Sequence, residues 1–187
     1  MACRTTDILK SARKPFETKT QLMPIVLRPV EAADIPAMAS IRARNSFTHA
    51  YWHDRISRYL SGEHSPQQAL ADRTAFVAVD AGQIIGFVAG HTTKRFQCDA
   101  ELEWIDTIEE RRRQGIAGSL IATMAVWFAQ HNAMRVCVDP GNSIARALYA
   151  KYGAHSLNQH WMVWDDVSQI RPYHPPKNPN NPTTSER

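Results

Sequence analysis

Arg111-Arg112-Arg113-Gln114-Gly115-Ile116-Ala117-Gly118-Ser119-Leu120 sets three cations and several small residues where an extended stretch gives way to a helical one. The first turn of a helix leaves about four backbone N–H groups without partners and carries about half a positive charge. Small residues at 115, 117 and 118 let an anion approach those amides, and the arginines add positive potential. The chemistry that fits is the holding of a diphosphate. Neither GxxxxGK(S/T) nor GxGxxG occurs, and no lysine or metal ligand stands nearby to activate a phosphate. The same residues would also serve as a plain helix start with incidental glycines. Just upstream, Ala100 to Thr107 alternates as a strand, which puts Glu101, Glu103, Ile105 and Thr107 on one face and turns Asp106 to the other.

Other elements must position these groups. A first strand is expected at Ile25-Val26-Leu27, a helix from Asp34-Ile35-Pro36 to about Arg44, and a second helix over about Ala50 to Leu60. Thr74 to Val79 and Gln83 to Gly90 read as hairpin strands joined by Asp80-Ala81-Gly82. After the strand at Ala100 to Thr107 come a helix from about Gly115 to His131, a strand at Met134 to Val138 and a helix from Ser143 to Tyr152 ended by Gly153. A last strand spans Gln159 to Trp164. The order βααβββαβαβ implies a mixed sheet with helices packed on it, in the α/β or α+β class.

The chain has 187 residues, 43% hydrophobic and 21% charged, which suits one packed domain with tails. Residues 1–22 read as a polar N-terminal extension, 23–170 as the domain, and 171–187 as a disordered tail rich in Pro and Asn. No run approaches the roughly 20 apolar residues of a membrane span, and no secretory core is visible, so no membrane association and a cytoplasmic location are expected. The formal charge of +4 sits at the ends, leaving the body between them near neutral. A nucleic-acid footprint needs a basic face on the folded part, so no nucleic-acid partner is expected. Cys3, Cys98 and Cys137 are odd in number and far apart, which fits free thiols in a reducing compartment, with no metal site indicated.

A second segment adds to the first. Asn142-Ser143-Ile144-Ala145-Arg146-Ala147-Leu148-Tyr149-Ala150-Lys151-Tyr152-Gly153 follows the next strand. Together the two segments resemble the GNAT superfamily of acyl-CoA-dependent N-acetyltransferases. Arg112, Gly115 and Ala117 match its (R/Q)xxGx(G/A) motif, while Asn142, Ala145, Leu148, Tyr149, Lys151 and Gly153 match its NxxAxxLYxKxG helix. The resemblance covers residues 25 to about 165. It implies a mostly antiparallel twisted sheet splayed between central strands, with helices on both faces, and acetyl-CoA as cosubstrate with no metal.

By the same resemblance, Ile105, Asp106 and Thr107 would pair with the acyl group and pantetheine arm. The diphosphate would sit on Arg112, Arg113, Gln114, Gly115, Ile116, Ala117 and Gly118. Asn142 would touch the pantetheine arm, and Tyr149 would offer its hydroxyl to the thioester sulfur as an acid. Relatives that acetylate lysine can carry a glutamate at the position of Glu101, so Glu101 and Glu103 are candidate bases; a solvated sheet face is the alternative. The acceptor would be a small-molecule amine, a peptide N-terminus or a lysine, bordered by Asn45 to Glu63 with Phe47, Tyr51, Trp52, His53 and Tyr59. A homodimer is compatible with the pattern. His53, His64, His91 and His160 read as bystanders. Cys137 stands where ribosomal-protein alanine acetyltransferases carry a glutamate, which argues against that specificity, and Ala154 replaces a common phenylalanine. The few residues after Gly153 leave room only for short final strands. A non-catalytic acyl-CoA-binding module and, further off, a nucleic-acid-associated protein are the competing readings.

Overall fold

The computed structural model describes residues 24–171. The expected extension 1–22, with Cys3, lies outside the described residues, and so does the expected tail from Pro172 onward.

Eleven elements build the domain. They are β1 (Val26–Pro29), α1 (Ile35–Ala43), α2 (His49–Ser61), β2 (Ala69–Asp80), β3 (Gln83–Thr93), β4 (Ala100–Thr107), α3 (Ile116–Gln130), β5 (Val136–Val138), α4 (Ser143–Lys151), β6 (His155–Ser156) and β7 (Met162–Trp164). The expected order holds, with β6 added and β2 beginning earlier than the sequence pattern suggested. The final strands are short, two and three residues.

Local chemistry explains most boundaries. Pro36 sits in the first turn of α1, where a missing N–H costs nothing. The Thr48 hydroxyl caps α2 by accepting from the Tyr51 N–H, and Gly62 ends it in the left-handed region at φ 82°. Ala81 and Gly82, both with positive φ, make the tight turn between β2 and β3.

The strands form one sheet in the order β1-β2-β3-β4-β5-β7-β6, and every pairing is antiparallel except β4 with β5. Each face buries its own apolar layer. Leu120, Met124 and Phe128 of α3 pack with Val88, Ala100 and Leu102 on one side. Met38, Ile41, Ile56 and Tyr59 of α1 and α2 pack with Val77, Phe87 and Trp104 on the other. Among the described residues no helix is long and apolar enough to cross a membrane.

Two irregularities in β4 open a cleft. Ala89 pairs with Trp104 but Gly90 pairs with Leu102, so Glu103 is an extra residue, a β-bulge. The parallel pairing with β5 ends at Leu102 opposite Val138, after which the two strands part. From Glu103 to Thr107 β4 has no neighbour on that edge among the described residues. Alternate backbone N–H and C=O groups of this stretch therefore face an opening.

Candidate active site

The opening between β4 and α4 is a cleft of about 560 Å³. Its walls include Glu103, Ile105, Asp106 and Thr107 of β4, Arg112 and Ala117 from the start of α3, and Asn142 and Tyr149 of the α4 segment. The structure thus brings together residues from both sequence segments and from the strand before them. A second cleft of about 420 Å³ opens beside it on the α2 side and shares Arg42, Glu103, Trp104, Asp139 and Gly141 with the first. Glu101, Arg55, Arg95 and Trp161 line that second space. A hollow of about 600 Å³ at the far end of α4, against Asp165 and Arg171, contains none of the expected site residues.

The loop before α3 is shaped by two left-handed residues, Arg113 at φ 61° and Gly115 at φ 84°. Gly115 is the N-cap of α3 and offers no side-chain cap, so the amides that follow it depend on outside partners. Arg112 and Ala117 border the cleft, while Arg113 and Gln114 are exposed. Ile116 is buried in the α3 core, so only its backbone is available to a ligand. Arg111 forms an ion pair with Asp80, which gives it a structural role. Gly118 has a packing role that the sequence did not show: a Cβ there would overlap the hydroxyl of Tyr152. Its smallness makes room for that ring, while its backbone N–H lies among the uncapped amides of the first turn.

Tyr149 is 3% exposed, and its ring meets Trp164 edge to face at 5.5 Å. Burial, then the nearby Asp106, push its hydroxyl well above the usual phenol range, so it stays protonated and able to donate. Asn142 caps α4, its side-chain oxygen accepting from the Ala145 N–H at 2.9 Å. That leaves the amide nitrogen as the group it can offer the cleft.

The bulge corrects the expected alternation of β4. Glu101 and Glu103 do lie together, but Ile105 turns to the α3 layer, and Trp104 and Asp106 join the glutamates on the α1/α2 face. One inserted residue reverses the side of every residue after it. Asp106 is held by Arg42 Nη1 at 2.5 Å and Asn45 Nδ2 at 3.2 Å. Arg42 in turn lies 4.1 Å above the Trp52 ring.

Glu101 is 5% exposed, with its carboxylate accepting from Arg95 Nε at 2.8 Å. Burial, then repulsion from Glu103, raise it to about 7, against the pull of Arg95. Burial also raises Glu103, opposed chiefly by Arg55. A carboxylate poised near neutrality suits proton acceptance.

Sequence reasoning passed over His91. It is fully buried, with Nδ1 3.1 Å from the Tyr59 hydroxyl and Nε2 3.7 Å from Glu101 Oε2. The cross-strand register, His91 opposite Glu101, was the missing signal. The expected aromatic border also changes. Trp52 and Tyr59 are buried in the core, while Phe47 and Tyr51 stack on each other at 4.5 Å and do not line either cleft. Cys137 and Cys98 are buried free thiols sharing a small apolar cluster with Val163.

The sequence model of the acetyltransferase (GNAT) family matches residues 44–154, more than half of the chain and the stretch that holds the cleft. The chain belongs to the GNAT family. No curated protein matches it. The GNAT domain superposes on a putative acetyltransferase of the family from Desulfovibrio desulfuricans with a TM-score of 0.62 and 12% identity, over 77% of this chain and 99% of that one. It is similar also to a GNAT family N-acetyltransferase from Escherichia coli in complex with CoA, with a TM-score of 0.57 and 20% identity over 79% and 83% of the two chains. An N-acetyltransferase from Thermoplasma acidophilum in complex with coenzyme A gives 0.55 and 15% over 75% and 97%. At these identities the likeness speaks to the fold, and the GNAT fold is the one observed.

Proposed function

We propose that this GNAT domain transfers the acetyl group of acetyl-CoA to a primary amine, by direct attack of the amine on the thioester. The observation that carries the reading is the unpaired edge of β4 from Glu103 to Thr107, facing Tyr149 and running toward the open N-terminus of α3. An extended ligand arm can pair with such an edge as an added strand does. The free amides after Gly115, with Arg112 beside them, suit a diphosphate. Neighbouring structures of the same fold were solved with coenzyme A, which supports the choice of ligand.

Bound there, acetyl-CoA would supply an acetyl group already activated as a thioester. The residues of this chain supply proton handling. A lysine-like amine has a pKa near 10.4, so roughly one molecule in 10³ is neutral at pH 7. Glu101, with Glu103 beside it, takes the proton from the ammonium. Arg42, Arg55 and Arg95 make the second cleft a costly place for a cation, which eases that loss. Tyr149 donates to the departing sulfur from the opposite wall. Ile105, Asp106 and Thr107 orient the acyl arm, and Asn142 offers its amide N–H. We assign the protein to the cytoplasm, where Cys98 and Cys137 stay reduced.

The test is release of free thiol from acetyl-CoA across a panel of primary amines, small molecules and peptides alike. Tyr149→Phe should lower kcat about 10²-fold while the Kd for acetyl-CoA stays within about twofold. Tight coenzyme binding with no thiol release on any amine would leave a binding module in place of an enzyme.

A further inference from the structure

His91 lies directly across the β3–β4 ladder from Glu101, and both project to the α1/α2 face. The imidazole has no exposure at all, and burial, with Arg73 and Arg95 nearby, lowers it to about 4. It is therefore neutral, with one N–H and one lone pair to place. Tyr59 keeps its proton, since burial and the two glutamates push its hydroxyl up. An ionised Glu101 can only accept. One arrangement suits all three groups: the Tyr59 O–H donates to Nδ1, and the Nε2–H turns its positive end toward Glu101 across 3.7 Å. The other tautomer would set a lone pair against a carboxylate oxygen 3.7 Å away. At 3.7 Å the Nε2–Glu101 pair is a close electrostatic approach and not a hydrogen bond, and Nε2 makes none among the described residues.

We propose that His91, held in its Nε2–H form by the Tyr59 hydroxyl, is a positioning residue that orients the Glu101 carboxylate and favours its ionised state. The inference rests on the reading of Glu101 as the base. The ammonium proton moves to a Glu101 oxygen; the Nε2–H stays on the ring throughout, and His91 never changes charge. Without this donor the carboxylate would rely on Arg95 alone, which approaches from the β3–β4 connection.

Several other groups face Glu101. Glu103 on its own strand opposes ionisation and Arg95 favours it. Cys137 lies opposite on β5, Tyr59 and Arg55 come from α2 and Arg42 from α1, while Arg73 of β2 stands by Tyr59 and His91. None of these is replaced in the test except Tyr59.

A rival account of the same atoms is a divalent cation, since ligand atoms of His91, Glu101 and Glu103 lie within 4.8 Å of one another. Arg95 already occupies Glu101 Oε2, and Arg42 and Arg55 border the space, which disfavours a further positive charge.

The experiment is the pH profile of kcat for the full chain with acetyl-CoA and the best amine, beside a 13C titration of the Glu101 carboxyl that needs no turnover. His91→Leu should move the acid limb, and the carboxyl titration, upward by about half to one pH unit. His91→Gln restores an N–H donor and should stay within about 0.3 unit of the parent. Tyr59→Phe, nearly isosteric and safe for folding, should move both in the same direction as His91→Leu by a smaller amount. Equal profiles for His91→Leu and the parent, or an equal displacement for His91→Gln, would overturn the inference. So would a stoichiometric metal whose removal by chelator abolishes activity. Glu101→Gln separates the two levels: a limb that persists in it removes the base assignment itself, whereas a limb lost there but unmoved in His91→Leu removes only the role of His91.

Discussion

Gly118→Ala is the sharpest available probe of why α3 begins as it does. In a helix interior, alanine is ordinarily favoured over glycine by about 1 kcal/mol. Here a Cβ would overlap the hydroxyl and Cζ of Tyr152 and come within 3.0 Å of Cε2. Ordinary carbon contacts sit at about 3.5–4.0 Å, so the ring must withdraw by about 2 Å. Overpacking of that kind costs about 1–3 kcal/mol, and the helix preference offsets part of it. The expected net loss is up to about 2 kcal/mol, a fall in Tm of up to about 8 °C for a chain of this size. Urea melts of the parent, Gly118→Ala, Tyr152→Ala and the double variant measure the coupling. With Tyr152 truncated, Gly118→Ala should become stabilising by about 1 kcal/mol, so the sign reverses. A penalty of equal size in both backgrounds would refute the steric account. Loss of coenzyme A affinity with no change in either melt would instead support the anion-approach role read from the sequence.

Gly115→Val forces a β-branched residue into φ 84°, a cost of roughly 1–2 kcal/mol that the loop relieves by moving its amides. Coenzyme A titrations should show affinity weakened about tenfold or more, and unchanged binding would remove the diphosphate assignment. Acid stability isolates His91 in a second way. Its value of about 4 in the fold lies below the ordinary 6.5, so the unfolded chain binds the proton first and stability is lost as pH falls through that window. At pH 5 the loss is about 2 kcal/mol, and His91→Gln escapes it. The stability of His91→Gln relative to the parent should therefore improve by about that amount between pH 8 and pH 5, read from urea midpoints. A constant difference would mean that the imidazole titrates normally.

Much of the candidate site's local structure was legible in the chain because its signals are local. Gly115 at a left-handed N-cap, Asn142 capping α4 and the Ala81-Gly82 turn each depend on a few neighbouring residues, and their types announce them. The periodicities of 2 and 3.6 gave the element order for the same reason. The two spaced segments were enough to point to the GNAT family and to bring Tyr149 and the α3 start into one hypothesis.

Long-range contacts decided the rest. Nothing near Glu103 in the sequence marks it as the bulged residue; the pairing of β4 with β3 does, and it moved Asp106 to the side of the glutamates and Ile105 away from them. His91 looked ordinary until the strand register set it against Glu101 and α2 delivered the Tyr59 hydroxyl to its other nitrogen. That Gly118 must also be small to admit the Tyr152 ring shows only once the end of α4 is laid against it. Backbone preference within a few residues is written in residue type, whereas the partner a side chain meets across the sheet is chosen by how separate layers pack.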